Sequence, residues 1–338
     1  MTQFKYFVGV DIASATFVAC IGTSPWKVLV QPKEFNNDEE GYASFLSWME
    51  QYEFPIHQVA VCMEATGVYG EGLAYFLVAT NYAVAVEPPL NIQKKFPASG
   101  NKNDWQDSIN IAEYASRYQD KLSFWQPRDE ILEKIKQLLV IREQLTEQST
   151  AQKNALHAIN RKVLSSALVK NVHQEMILQI KKHIKEIDRE IRRLINSNPT
   201  FKQNVALLDS IPGVGQTLAA HLLIITQHSL DPKELSAYIG ICPYEHKSGT
   251  SVNKKSTSRH YGPAATRRLL YLAACSVRTH REEFKRYFLR KTAEGKPGKL
   301  VLNNIQNKLI KIACALLRTQ KPFVPNYVSV NPILLKKA

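Results

Sequence analysis

Tyr6-Phe7-Val8-Gly9-Val10-Asp11 sets the fold of this chain, and Val59-Ala60-Val61-Cys62-Met63-Glu64 repeats its message. Each is a short apolar run that reads as a strand and ends on a carboxylate. Two more acids, Asp104 and Asp107, open a segment with helical spacing. Three residues apart, they share one side of a helix. Carboxylates at strand ends, joined by two from a helix start, form an all-oxygen donor set suited to hard divalent cations. A pair of such ions about 4 Å apart stabilises both the attacking and the leaving oxygen in phosphodiester chemistry. Mg2+, as two ions, is the expected cofactor.

Working outward, residues 4–22 read as two strands joined by a tight turn at Ile12-Ala13-Ser14-Ala15. Helical periodicity follows at 41–51, a strand at 58–64, a helix at about 70–80 and a strand at Ala83–Val86, which Pro88 and Pro89 stop. Asp104 is the expected N-cap of a helix running to about Tyr118. Strands alternating with helices predict an α/β domain with a mixed sheet over residues 1–127. In the next segment, 128–200, Ile177, Ile180, Ile184, Ile187, Ile191 and Leu194 alternate steps of three and four. That seam predicts a coiled-coil arm, closed on itself or on another subunit. Residues 201–320 read as an all-α domain interrupted by glycine turns, and 321–338 as an irregular tail.

Charge is divided between these parts. Residues 1–127 hold 8 Lys+Arg against 14 Asp+Glu, a net of −6, and the remainder holds 36 against 16, a net of +20. An acidic, metal-recruiting head on a basic body points to nucleic acid. No apolar stretch approaches the roughly 20 residues of a membrane helix, and no signal-peptide pattern precedes the first strand. Five scattered cysteines without CxxC spacing fit reduced core residues of a cytoplasmic, nucleoid-associated protein.

The basic part carries two motifs. Ile211-Pro212-Gly213-Val214-Gly215 lies between apolar helical segments and is similar to a helix-hairpin-helix turn. There Gly213 and Gly215 would let backbone N–H groups approach a phosphate, independent of sequence. The second motif runs through Lys247, Ser248 and Gly249, then Lys254, Lys255 and Arg259, then Gly262, Arg267 and Arg268. By its residues alone it reads as a flexible phosphate-binding loop, and Lys102 before Asp104 is either a further phosphate contact or part of a solvated loop. Arg278, Arg281, Lys285, Arg286, Arg290 and Lys291 crowd one further helix, whose core face is Phe284, Tyr287 and Phe288.

The four carboxylates, in this order on these elements, resemble the DEDD set of the RNase H-like, RuvC-type nuclease fold. With Glu64-Ala65-Thr66-Gly67-Val68-Tyr69, Lys102-Asn103-Asp104-Trp105-Gln106-Asp107, the Gly213 turn and the Ser248…Arg268 segment, the chain resembles the IS110 family of insertion-sequence transposases over about residues 4–320. Asn103 stands where many relatives are expected to have Thr, and Ser108 where they have Ala. The resemblance implies a DNA recombinase whose Asp11, Glu64, Asp104 and Asp107 bind metal and whose Ser248 attacks a DNA phosphate, forming a phosphoserine intermediate. Ser251 is the rival for that role. It also implies a composite site shared between subunits, a structured noncoding guide RNA, donor and target DNA duplexes, and a homo-oligomer, a dimer pairing into a tetramer. The alternative is a hydrolytic endonuclease of the Holliday-junction-resolvase type, in which the serine segment only binds phosphate. A non-catalytic nucleic-acid-binding regulator is the third reading.

Overall fold

The computed structural model describes residues 4–65, 67–96, 103–248, 252–258 and 262–325. The chain divides into two compact units, residues 1–128 and 129–338.

The first unit is built on a five-stranded sheet of order β3-β2-β1-β4-β5. Its strands are β1 (Tyr6–Ile12), β2 (Thr16–Thr23), β3 (Lys27–Asn36), β4 (Val59–Glu64) and β5 (Ala83–Glu87). β1, β2 and β3 run antiparallel, whereas β4 lies parallel to β1 and β5 parallel to β4. This is the mixed, RNase H-like arrangement. β1 and β4 are buried along almost their whole length, as central strands covered on both faces must be. One face packs Val8, Val10, Val61 and Met63 with Phe45 and Trp48 of α1 (Glu39–Glu50) and Leu73 and Leu77 of α2 (Glu71–Ala79). The other packs Phe7, Ala60, Cys62 and Ala85 with Ile92 of α3 (Pro89–Gln93) and Ile111, Tyr114 and Ala115 of α4 (Asp104–Arg117). The edge strand β3 was not expected from the sequence. Its only apolar run, Val28-Leu29-Val30, is short, and Pro32 with charged neighbours follows, a composition typical of an edge.

In the second unit, α5 (Glu130–Asn160) and α6 (Ala167–Ser197) pair antiparallel, joined by residues 161–166. Arg142 of α5 donates to Asp188 of α6 at 2.7 Å, and Gln152 meets His173 at 2.6 Å. Ile177, Ile180, Ile191 and Leu194 of the seam are buried, and Ile184 and Ile187 half-buried. Each full burial is worth about 1.5–3 kcal/mol over exposure. The arm is a helical hairpin within one chain. Its base, Leu132, Ile135, Leu139 and Ile191, packs on Phe201 of α7 (Pro199–Asp209) and Leu223 of α8 (Gln216–Ile225). The body continues through α9 (Pro232–Ile239), a hairpin of β6 (Pro243–Ser248) and β7 (Val252–Ser258), α10 (Ala264–His280), α11 (Glu282–Ala293) and α12 (Gly298–Thr319). Two differences from the sequence reading stand out. The segment around Ser248 is a β-hairpin, not a loop, and the basic run from Arg278 to Lys291 spans two helices that break at Arg281. No described helix is long and apolar enough to cross a membrane.

Candidate active site

β1 and β4 pair in parallel with Val10 opposite Met63. The next residues, Asp11 and Glu64, therefore stand side by side at the carboxyl ends of the two central strands. Side chains alternate along a strand, so Asp11 follows Phe7 and Gly9, and Glu64 follows Ala60 and Cys62, toward the face that α4 covers. Gly9 is what lets α4 lie down there. A Cβ at this position would come within 2.2 Å of both Ala112 N and Ser108 O.

The start of α4 is fixed by Asn103, whose side chain accepts from Trp105 N at 3.1 Å. Such a cap contributes about 1 kcal/mol. Asn103, not Asp104, is thus the N-cap, and the Asp104 carboxylate is released from capping. It meets the others: carboxylate oxygens of Asp11, Asp104 and Asp107 lie within 4.8 Å of one another. Asp11 and Asp107 are half-buried and Asp104 is exposed. Glu64 is half-buried on the neighbouring strand and stands outside that set of three. Three carboxylates converging at a helix start, where the macrodipole favours negative charge, form a donor set of hard oxygens that fits a divalent cation. The partial positive end of α4 reduces, but does not cancel, the repulsion among them.

One acid at this sheet end was missed from the sequence. Glu87 is the register partner of Glu64 on β5 and is 4% exposed. It accepts from Tyr114 Oη, Asn91 Nδ2 and Ser123 N, each at 3.3 Å. Burial and the neighbouring Glu87 push the Tyr114 hydroxyl up to about 12. Burial, with Glu87 and Glu64 adding to it, likewise pushes the Cys62 thiol up. The signal was present: Ala83-Val84-Ala85-Val86-Glu87 is a third apolar run ending on a carboxylate.

In the second unit, Gly213 has φ +79 and a Cβ there would meet Val277 Cγ1 at 2.8 Å and Ala273 O at 3.0 Å. The glycine is needed both for its left-handed backbone and for the close approach to α10. Gly215 caps α8 in open space, leaving the helix start facing outward. Ser248 is the last residue of β6, in register with Val252, so the backbone puts it at the end of the hairpin. Lys102, Gly249, Ser251 and Arg259 lie outside the described residues, and Lys247, Ser248, Lys254 and Lys255 enter by their backbone alone. Gly262 is obligatory, because a Cβ would meet Tyr238 O at 1.9 Å. Arg267 Nη1 donates to Ile239 O at 2.8 Å, and exposed Arg268 pairs with Glu143 of the arm. Both arginines therefore have intramolecular partners that fix α10 to α9 and α5. Beneath them His221 contacts Thr266 Oγ1 at 3.2 Å, and burial, with Arg142 and Arg268 nearby, lowers it from 6.5 to about 4.

A mixed sheet of this order, with three carboxylates converging beside its carboxyl edge, is an arrangement suited to binding a divalent cation. The chain belongs to the IS116/IS110/IS902 family of transposases, enzymes that cut and rejoin DNA. Residues 8–165 match the family's DEDD transposase model, and residues 205–289 match the model described as Transposase IS116/IS110/IS902 family. The chain is 30% identical over 326 residues to the pilin gene-inverting protein of Moraxella lacunata, covering 94% of this chain and 98% of that one. The transposase for insertion sequence element IS1111A of Coxiella burnetii is 23% identical over 349 residues, covering 94% and 90%. Among solved structures, T. thermophilus RuvC in complex with a Holliday junction substrate aligns with a TM-score of 0.29 and 9% identity, over 36% of this chain and 99% of that chain.

Proposed function

We propose that this transposase is an RNA-guided serine recombinase whose acid cluster and Ser248 act on the same DNA phosphate. The convergence of Asp11, Asp104 and Asp107 carries the reading. With Glu64 beside them, they would hold two Mg2+ ions, which supply charge stabilisation to the phosphate oxygens. The Ser248 hydroxyl attacks phosphorus, a P–O bond of the DNA breaks, and a DNA hydroxyl end leaves with the serine's proton. A hydroxyl end from another strand then attacks the phosphoserine and restores the serine. One ester replaces another at each step, so no ATP is consumed. Phosphate contacts come from Lys102, Lys247, Lys254, Lys255 and Arg259 and from the helix start at Gly213 and Gly215. Arg267 and Arg268 are further phosphate contacts, and they also hold α10 to α9 and α5.

Partners are donor and target duplexes and a structured noncoding guide RNA, in the bacterial nucleoid. The basic second unit suits both polyanions. A homo-oligomer, two dimers forming a tetramer, handles the four strands. Its support is the arm's tip, where Val163 and Leu164 are 99% and 88% exposed and Leu168, Val172 and Met176 form an exposed stripe on α6.

The test is a covalent trap. The protein is expressed beside its native flanking DNA, lysed in detergent, and DNA-linked protein is measured in wild type and Ser248→Ala. An adduct lost in Ser248→Ala is expected. An adduct that persists moves the role to Ser251. Metal-dependent cleavage with no adduct overturns the serine mechanism in favour of hydrolysis.

A further inference from the structure

We propose that a cavity of about 740 Å³ bounded by α9, α11 and α12 is a pocket for one unpaired nucleotide of a nucleic-acid strand. Its volume falls in the range of ligand pockets, roughly 300–1,000 Å³. Buried Phe284 and Ile305 and half-buried Tyr287 give it an apolar, aromatic wall. Three exposed lysines, Lys233, Lys308 and Lys311, stand around it against a single acid, Glu283. None of the three lysines is ion-paired among the described residues. A further cation, the Arg290 guanidinium, lies 5.8 Å from the centroid of the Tyr287 ring.

An aromatic wall under a cationic rim matches a heteroaromatic base attached to phosphate. Amides complete the match. Asn307 Nδ2 donates to Ile241 O at 3.3 Å and to Asn303 O at 2.9 Å, which fixes the amide and leaves its oxygen as an acceptor. Asn304 lies beside it. A base inside a duplex has both faces stacked and its edge paired, so only an unpaired or extruded base can enter. Cys242 and Pro243 also line the cavity, and Pro243 begins β6. A nucleotide held here sits at the root of the hairpin that carries Ser248, whatever that serine does.

The experiment is fluorescence anisotropy on the full chain with labelled oligo(dT), oligo(U) and a duplex, across a salt series. Tyr287→Ala is expected to weaken single-strand binding by about 5- to 150-fold, the worth of one stacked base, and to leave duplex binding unchanged. Tyr287→Phe is expected to retain binding, which separates stacking from a folding defect. Lys308→Ala with Lys311→Ala is expected to reduce the slope of log K against log salt by about 1.4 for single strands. A 5-iodouracil oligonucleotide is expected to crosslink at Tyr287. Tighter binding of oligo(dT) or of oligo(U) assigns the strand as DNA or RNA. Equal losses of single-strand and duplex affinity in Tyr287→Ala, or no loss in either, overturn the pocket.

Discussion

Glu64 and Glu87 are register partners on two parallel strands, yet one is half-buried and the other is sealed in the interior. Glu87 is held by Tyr114, Asn91 and the Ser123 N–H, and it ties β5 to α4. Glu87→Ala leaves the buried Tyr114 hydroxyl without its acceptor. A loss of about 1–3 kcal/mol in stability is expected, read from the urea midpoint. Glu87→Gln keeps an acceptor and is expected to lose less.

Removing a member of the aspartate cluster has the opposite signature. Asp11→Asn, Asp104→Asn and Asp107→Asn each relieve like-charge repulsion, so metal-free stability is expected to hold or rise. Strand exchange is expected to fall by at least about 100-fold. Mg2+ at 100 times its Kd is expected to stabilise the wild type by about 2.7 kcal/mol, and the triple variant not at all. Thermal unfolding with and without Mg2+ measures both.

Gly9→Ala tests how α4 is seated. The added Cβ meets backbone atoms, not a side chain that can move aside. Lifting α4 from β1 carries Asp104 and Asp107 away from Asp11. A stability loss of at least about 1–3 kcal/mol is expected together with loss of the Mg2+ thermal shift.

His221 sets a pH dependence. Its folded value of about 4 lies below its ordinary 6.5, so between these values the unfolded chain binds the extra proton. Stability therefore rises with pH across that window and falls as pH drops from 6.5 toward 4. In denaturant titrations from pH 7 to pH 4, His221→Gln is expected to flatten this slope relative to wild type.

The exposed stripe on the arm gives a test of assembly. Leu168→Lys with Val172→Lys is expected to leave the fold intact, since both side chains are exposed. Light scattering is expected to show a smaller species than wild type. Unchanged mass would place the subunit contact elsewhere.

Much of the first unit was legible because its central strands are continuous apolar runs that end on acids. A mixed sheet was expected, and the structure adds the parallel pairing of β1 with β4 that aligns Asp11 with Glu64. What was hidden has physical reasons. β3 is an edge strand with mixed residues, and Glu87 looked like the loop that Pro88 and Pro89 begin. Asn103 takes the cap because the helix starts one residue earlier than the sequence suggested, and Asn and Asp serve equally well at that position. β6 and β7 are rich in Lys, Ser and Thr with little apolar alternation, so nothing local distinguishes them from a loop. Arg267 and Arg268 read as phosphate ligands, and their additional partners, Ile239 O and Glu143, are visible only in the tertiary structure.

The β6–β7 hairpin leaves the body between two glycines, Gly240 at the end of α9 and Gly262 before α10, both at positive φ. Gly262 is wedged against Tyr238 O, so the stem is gripped at its root. From Pro243 to Ser248 the strand extends about 17 Å. The serine is thus the tip of a lever. A tilt of about 10° at the root displaces that tip by about 3 Å. Small torques on α9 or α10 therefore become large excursions at the far end of the hairpin.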